Sequence, residues 1–230
     1  VDDILLSMQT IHLTNQSFIF SSASVKWLTI FFGACIVSLI LIAPNVKQVL
    51  VTVCLSIVII LFGYIMMIRA VVRFTLTATH LQQHLYKGGW VTQWCNIEKI
   101  GRCVYTDKDG WQHPLPWVGI KLKNYSPYLE SICPRIITEI LFNQRSLLYL
   151  GAKQQKHIEH FEDMVLDSKN FTTSQGEKFE GLQAMLANRM QYQRGYYDYD
   201  IFIPENDLDR PVEEFIGLTR RYLAAGKHYS

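Results

Sequence analysis

Trp27–Ile68 reads WLTIFFGACIVSLILIAPNVKQVLVTVCLSIVIILFGYIMMI, and it decides how the rest of the chain is organised. It holds two uncharged apolar runs, Trp27 to Ala43 and Val49 to Ile68, parted by Pro44-Asn45-Val46-Lys47-Gln48. A bilayer core about 30 Å thick takes roughly 20 apolar residues of helix, with about 17 a workable minimum. Both runs reach that range, so the stretch predicts a transmembrane helical hairpin with Trp27 at one interface and Pro44 ending the first helix. A buried hairpin in a soluble domain fits less well, because runs apolar on every side leave no polar face for water. A signal peptide fits less well again: more than about twenty residues precede the first run, and a second run follows at once.

The short linker makes the two helices antiparallel, so the N-terminal segment and the long C-terminal part share one side. Lys26, Arg69 and Arg73 flank the open end of the hairpin, whereas Lys47 stands alone in the turn. The positive-inside bias therefore places both termini in the cytoplasm, in an inner (plasma) membrane crossed twice. Trp27, Lys26, Arg69 and Arg73 are the expected membrane-interface residues. Of the five cysteines, Cys35 and Cys54 fall in the apolar runs, leaving Cys95, Cys103 and Cys133. An odd number without framework spacing suits a reducing compartment.

The chain has 230 residues, 49% hydrophobic and 18% charged, with a formal net charge of +2. It divides into an N-terminal segment with a short strand (1–25), the hairpin (26–69, spans about 27–43 and 49–68) and a cytoplasmic α+β domain (70–230). Acids and bases are interspersed after Arg73, which gives no footprint for nucleic acid and no polybasic lipid site. Arg69 and Arg73, one helical turn apart, are read as anchors to head-group phosphates. Met8 is a candidate start.

Ile11, Leu13, Phe18 and Phe20 alternate with polar neighbours as a strand does, and the hairpin returns the chain to that strand's side. After Arg73 the period becomes two: Phe74 to Ala78, Leu81 to Tyr86, Trp90 to Ile97, Ile100 to Tyr105 and Trp111 to Lys123 predict a five-strand antiparallel meander. Asp107-Lys108-Asp109-Gly110 marks a turn, and Pro114 and Pro116 belong at an edge or bulge. Helices follow. Ser126 is the expected N-cap before Pro127, and a second helix starts at Pro134 with Ile136, Ile137, Ile140, Leu141, Leu147 and Leu148 on one face. Phe179, Leu182, Leu186 and Met190 mark a helix ending before Gly195, Tyr199 to Pro204 a last strand, and Asp209 the cap of a final helix with Val212, Phe215, Ile216, Tyr222 and Leu223 buried.

Reactive groups are sparse. His80 and His84 share a strand face and His157 and His160 lie a helical turn apart, but no third or fourth ligand stands near either pair, so no metal is assigned. Cys95, Cys103 and Cys133 lack an oxyanion or elbow motif and read as small hydrophobes. Gly88-Gly89 and Gly101 lack the spacing of a phosphate or dinucleotide loop. Tyr192, Tyr196, Tyr197 and Tyr199, beside Asp198 and Asp200, are assigned to packing of the last strand rather than to a ligand. No catalytic, cofactor or small-molecule site is expected.

Pro134-Arg135, Gln144-Arg145-Ser146-Leu147-Leu148, Asp200-Ile201-Phe202-Ile203-Pro204 and Leu208-Asp209-Arg210-Pro211 carry a resemblance to an uncharacterised family of gammaproteobacterial inner-membrane proteins, domain of unknown function 2982. The two spans followed by Phe74-Thr75-Leu76-Thr77 and Trp94 to Ile97 are also similar to bacterial membrane proteins whose cytoplasmic part is a pleckstrin-homology-like sheet capped by a helix. The resemblance implies an α+β fold and no reaction. The expectation is a non-enzymatic module on a membrane anchor, with the bilayer as partner and a protein, a second copy or lipid head groups as ligand. An enzyme acting on a membrane-associated substrate and a structural subunit of a membrane complex are the alternatives.

Overall fold

Asn15 and Val72 are hydrogen-bonded to each other across 57 residues of sequence: the Val72 N–H donates to Asn15 Oδ1 at 2.9 Å. The Asn15 N–H in turn donates to the Val72 carbonyl at 3.1 Å. The chain therefore leaves the α+β unit at Asn15 and re-enters it at the adjoining residue. The computed structural model describes residues 9–15, 23–42, 45–107, 110–155 and 157–226. Gln16–Val71 forms one compact unit, and the segments before and after it together form the other.

In the inserted unit, α1 (Ala23–Ile42) and α2 (Val46–Arg69) pack against each other. The 24 residues of α2 include no buried one. The hydroxyls of Thr52 and Ser56 turn inward to the helix backbone: Thr52 donates to Gln48 O and Ser56 to Thr52 O. Among the described residues α2 is the one helix long and apolar enough to cross a membrane. Both predicted runs are thus helical, and on that criterion one of the two expected spans is present. The helices are longer than the runs, while Ala43 and Pro44 lie outside the described residues.

The other unit is α+β. Its strands are β1 (Ile11–Thr14), β2 (Arg73–Leu76), β3 (His80–Leu85), β4 (Gly88–Gln93), β5 (Ile97–Thr106), β6 (Gln112–Leu122), β7 (Phe171–Thr172), β8 (Lys178–Phe179) and β9 (Ile201–Pro204). They form an antiparallel four-stranded sheet ordered β1-β2-β3-β4, a three-stranded sheet ordered β5-β6-β9, and the small β7-β8 hairpin. The expected single meander is thus two sheets, and the cause lies at Trp94. The strand predicted over Trp90 to Ile97 stops at Gln93, and Trp94–Asn96 turns as a 3-10 helix. Trp94 is 1% exposed, and its Nε1 donates to Thr77 O at 2.8 Å. Burying the indole with its N–H satisfied needs this bend, which carries the chain from one sheet to the other. Phe18 and Phe20, expected to extend β1, lie outside the described residues.

Pro114 and Pro116 sit where β6 has only one neighbour, since β9 pairs with Trp117 to Ile120 alone. An amide hydrogen is not needed on that open side. The β5–β6 register also shifts between Arg102 and Val104, next to the prolines.

The helices of this unit are α3 (Ser126–Ser131), α4 (Pro134–Asn143), α5 (Arg145–Gln154), α6 (Phe161–Val165), α7 (Gly181–Tyr197) and α8 (Val212–Gly226). Four local expectations are corrected. The apolar stripe from Ile136 to Leu148 is shared by α4 and α5, which break at Gln144. Ser126 is the first residue of α3 rather than its cap, and the Asn124 side chain accepts its N–H at 3.2 Å. Helix α7 runs through Gly195 to Tyr197. Asp209 does not cap α8, because Arg210 engages its carboxylate.

Helix α8 buries Val212, Phe215, Ile216, Tyr222 and Leu223. Phe215 meets Phe74 of β2 edge-to-face, ring centroids 5.3 Å apart. Arg189 of α7 is fully buried with no carboxylate partner among the described residues, and it donates to Leu141 O and Val165 O, carbonyls in the last turns of α4 and α6. The negative ends of two helices take the place of a counter-ion. Burial and the neighbouring Arg145 lower its pKa to about 10.

Phe215→Ala is expected to destabilise the chain by about 3–5 kcal/mol, since it leaves a cavity where α8 meets Phe74. Gly217→Ala on the same helix meets open space and is expected to stabilise by about 0.5–1 kcal/mol. Denaturant melts of the full chain check both.

Candidate functional site: a cationic cleft over a buried carboxylate

The site is built by the way α7 ends. Asp198 adopts a left-handed backbone (φ 60°) and reverses the chain. Tyr199 then lies flat across Gly101 and Gly119, which face each other on β5 and β6. A Cβ at either glycine would fall 2.3 Å from the tyrosine, so both positions exclude a side chain. The next residue, Asp200, points inward and is 1% exposed.

A buried carboxylate is tolerated only when it is paired and hydrogen-bonded. Asp200 meets both conditions. Arg194 engages it through two nitrogens, with Nε donating to Oδ1 at 2.6 Å and Nη2 to Oδ2. The Tyr125 hydroxyl donates to Oδ1 at 2.7 Å and the Leu122 N–H to Oδ2 at 2.7 Å. Arg194 also donates to Leu122 O and lies over the Tyr125 ring, 4.9 Å from its centroid. The bond to Asp200 raises the Arg194 pKa, while burial and Asp200 push the Tyr125 hydroxyl up, so it stays a neutral donor. One carboxylate thus joins α7, β6, the start of α3 and β9.

Above this network opens a cleft of about 510 Å³, lined among others by Lys123, Asn124, Thr172, Thr173, Ser174 and Arg194. Two cations and the aliphatic hydroxyls of Thr172, Thr173 and Ser174 line it, and no acid does. Tyr125 and Phe171, stacked with centroids 5.9 Å apart, add an aromatic surface. Such a lining offers donors and positive charge to an anionic group. At Gln191 and Gly195 the cleft adjoins a second depression of about 480 Å³, which holds His157, His160, Tyr192 and Tyr196.

The residues singled out in the sequence are scattered. Trp27 is 71% exposed on α1, Arg69 ends α2, and Arg73 opens β2 in the other unit. His80 bonds Thr77 and Thr79. His84 and His12 both reach Thr75 Oγ1 at 3.2 Å. Burial, His12 and Arg73 lower the His84 pKa. Among the described residues no group of three or more His, Cys, Asp or Glu is placed to hold a metal ion.

Cys103 is fully buried and its thiol is pushed up to about 12, which removes the thiolate a nucleophile needs. Cys95 bonds Gln93 and Cys133 bonds Lys87 O. The tyrosines mostly pack α7: Tyr192 donates to Asp167, Tyr196 to Met164 Sδ and Tyr197 to Leu147 O. Arg194 and Lys123 are 71 residues apart and do not pair visibly in sequence; the bond from Arg194 to Leu122 O brings them to the same cleft.

Asp200→Asn keeps the side-chain shape but leaves Arg194 unpaired, and is expected to cost about 3 kcal/mol in thermal or denaturant unfolding. Asp198, bonded to Lys99 and Lys121 on the outer face, has its pKa lowered to about 2. A lowered carboxylate pKa gives stability that is present above pH 4 and lost as pH falls towards 2. Asp198→Asn is therefore expected to flatten the acid limb of a Tm-against-pH profile between those values.

No curated protein and no solved structure matches this chain. The family model described as "Protein of unknown function (DUF2982)" matches residues 74–225, which lie within the α+β unit and include every residue lining the cleft. With well over half of its length matched, the chain belongs to the DUF2982 family.

Proposed function

We propose that the chain is a membrane-anchored, non-enzymatic interaction module whose cationic cleft receives the phosphate of a lipid head group. The observation that carries this reading is the lining of the cleft, with Lys123 and Arg194 beside Thr172, Thr173 and Ser174 and no acid among them. Among the described residues no carboxylate pairs with the Lys123 ammonium, so its charge is available.

Membrane attachment is supported by α2, whose apolar surface is exposed along its length. Both helices crossing is supported by the bonded pair Asn15 and Val72, since a chain that returns to its point of departure crosses a bilayer an even number of times. Basic residues at that end favour the cytoplasmic side, in a bacterial inner membrane, for both termini. The four-stranded and three-stranded sheets with the C-terminal α8 are the parts of a pleckstrin-homology-like module. On that reading the helices from α3 to α7 are an insertion before its last strand.

Isothermal titration of the purified full chain with sn-glycerol 3-phosphate tests the cleft. Saturable binding is expected, weakened about tenfold or more by Lys123→Glu, a surface change that leaves the Arg194–Asp200 pair intact. Absence of binding, or binding indifferent to that substitution, contradicts the proposal.

A further inference from the structure

A further cavity, of about 50 Å³, shares no lining residue with the cleft and lies beside Gln83, Trp90, Tyr128, Glu139, Gln144 and Asp207. It has room for about one or two water-sized groups. Asp207 is its least satisfied member. Among the described residues its carboxylate has one hydrogen bond, a long one from Gln83 Nε2, 3.4 Å to Oδ2. The Gln83 amide is held in that orientation by Trp90, whose Nε1 donates to Gln83 Oε1 at 2.6 Å.

Among the described residues no cation pairs with Asp207, whereas Glu139 has Lys87 at 3.6 Å. Gln144 is 5% exposed and lines the same cavity, and among the described residues its side chain has no hydrogen-bond partner. A buried amide without a partner and a carboxylate without a counter-ion both lack the same thing, a small group that donates hydrogen bonds and carries positive charge.

We propose that this cavity is a binding site for a primary ammonium group, carried by a free alkylamine or by the lysine side chain of a protein partner. An ammonium has three donors, and the cavity offers three acceptors: the Asp207 carboxylate, the Gln144 amide oxygen and Glu139. Trp90, Trp117 and Tyr128 give aromatic surface to the cation, and Leu85 and Ile140 give apolar surface to a methylene stem. A hard metal ion fits less well, since it asks for six or more oxygens and this lining is largely aromatic and aliphatic.

Burial and Glu139 raise the Asp207 pKa to about 6, against the lowering bond from Gln83. The other titratable groups lining the site are Glu139 on α4, which Lys87 of the β3–β4 turn pairs from outside the lining, and Tyr128 on α3, whose hydroxyl is pushed up and stays neutral. A cation favours the ionised carboxylate, so binding strengthens as pH rises through 6 and releases protons. Because the folded pKa lies above the unfolded one, the empty, ionised site destabilises the fold above pH 6. Asp207→Asn is therefore expected to melt no lower than the parent at pH 7.5, which makes it a clean binding variant.

Calorimetric titration of the full chain with n-butylammonium at pH 7.5 is the test, with n-butanol and Ca²⁺ as comparators. Saturable amine binding is expected, lost in Asp207→Asn, weakened about tenfold in Gln144→Leu and weaker at pH 5. No amine binding, equal binding of n-butanol, binding of Ca²⁺ alone, or full binding by Asp207→Asn overturns the proposal. Among supporting outcomes, Nα-acetyl-lysine methylamide binding more tightly than n-butylammonium assigns a partner's lysine. Equal or weaker binding assigns a free amine.

Discussion

The hydrogen-bonded junction of Asn15 with Val72 constrains everything else in the chain. A strand from before the two apolar helices pairs with a strand from after them, Ile11 opposite Leu76 and Thr14 opposite Arg73. The helices are therefore an insertion inside one sheet rather than an extension at one end of the domain. A backbone bond cannot bridge a bilayer, so whatever path the insertion takes, it returns to the face it left. Among the described residues helix α2 has no buried residue and is long and apolar enough to cross a membrane, where lipid would remove the cost of exposing that surface to water. If α2 crosses, closure at Asn15 requires that α1 cross as well.

Within the α+β unit the corresponding constraint is the Asp200 carboxylate. Its partners come from α7, β6 and the residue before α3, and they converge because the left-handed Asp198 and the paired glycines Gly101 and Gly119 leave it one direction to point. The same arginine that neutralises Asp200 lines the cleft above it. The arginine wall of the cleft is thereby fixed in place, because its other edge is clamped to a buried acid. Lys123, by contrast, is held through its backbone bond to Asn96, and among the described residues no carboxylate pairs with its ammonium.

Much of the fold was legible because it rests on periodicity. Alternation from Phe74 to Leu85 and the helical stripe of Val212, Phe215, Ile216, Tyr222 and Leu223 each correspond to a real buried face. What local pattern does not encode is where the chain bends. Trp94 looked like one more strand residue, yet the demand of its indole N–H for Thr77 O splits the sheet. Gly195 looked like a stop, but it sits inside α7, where an absent side chain opens the junction of the two depressions. The candidate site was illegible for a related reason. Arg194 and Asp200 are six apart, a spacing that means nothing on a helix or strand and acquires meaning only through the turn between them. Histidines and cysteines, the residues a sequence draws attention to, lie outside the lining of the cleft.

The claim on which the account stands is that the insertion from Asn15 to Val72 crosses the bilayer and comes back. Accessibility of single cysteines to a membrane-impermeant maleimide tests it directly, comparing native Cys95 in the α+β unit with Gln48→Cys at the start of α2, in vesicles of known orientation. The account predicts opposite sidedness, with Cys95 reacting only from the cytoplasmic face and the cysteine at position 48 only from the other. Reaction of both from the same face would contradict it.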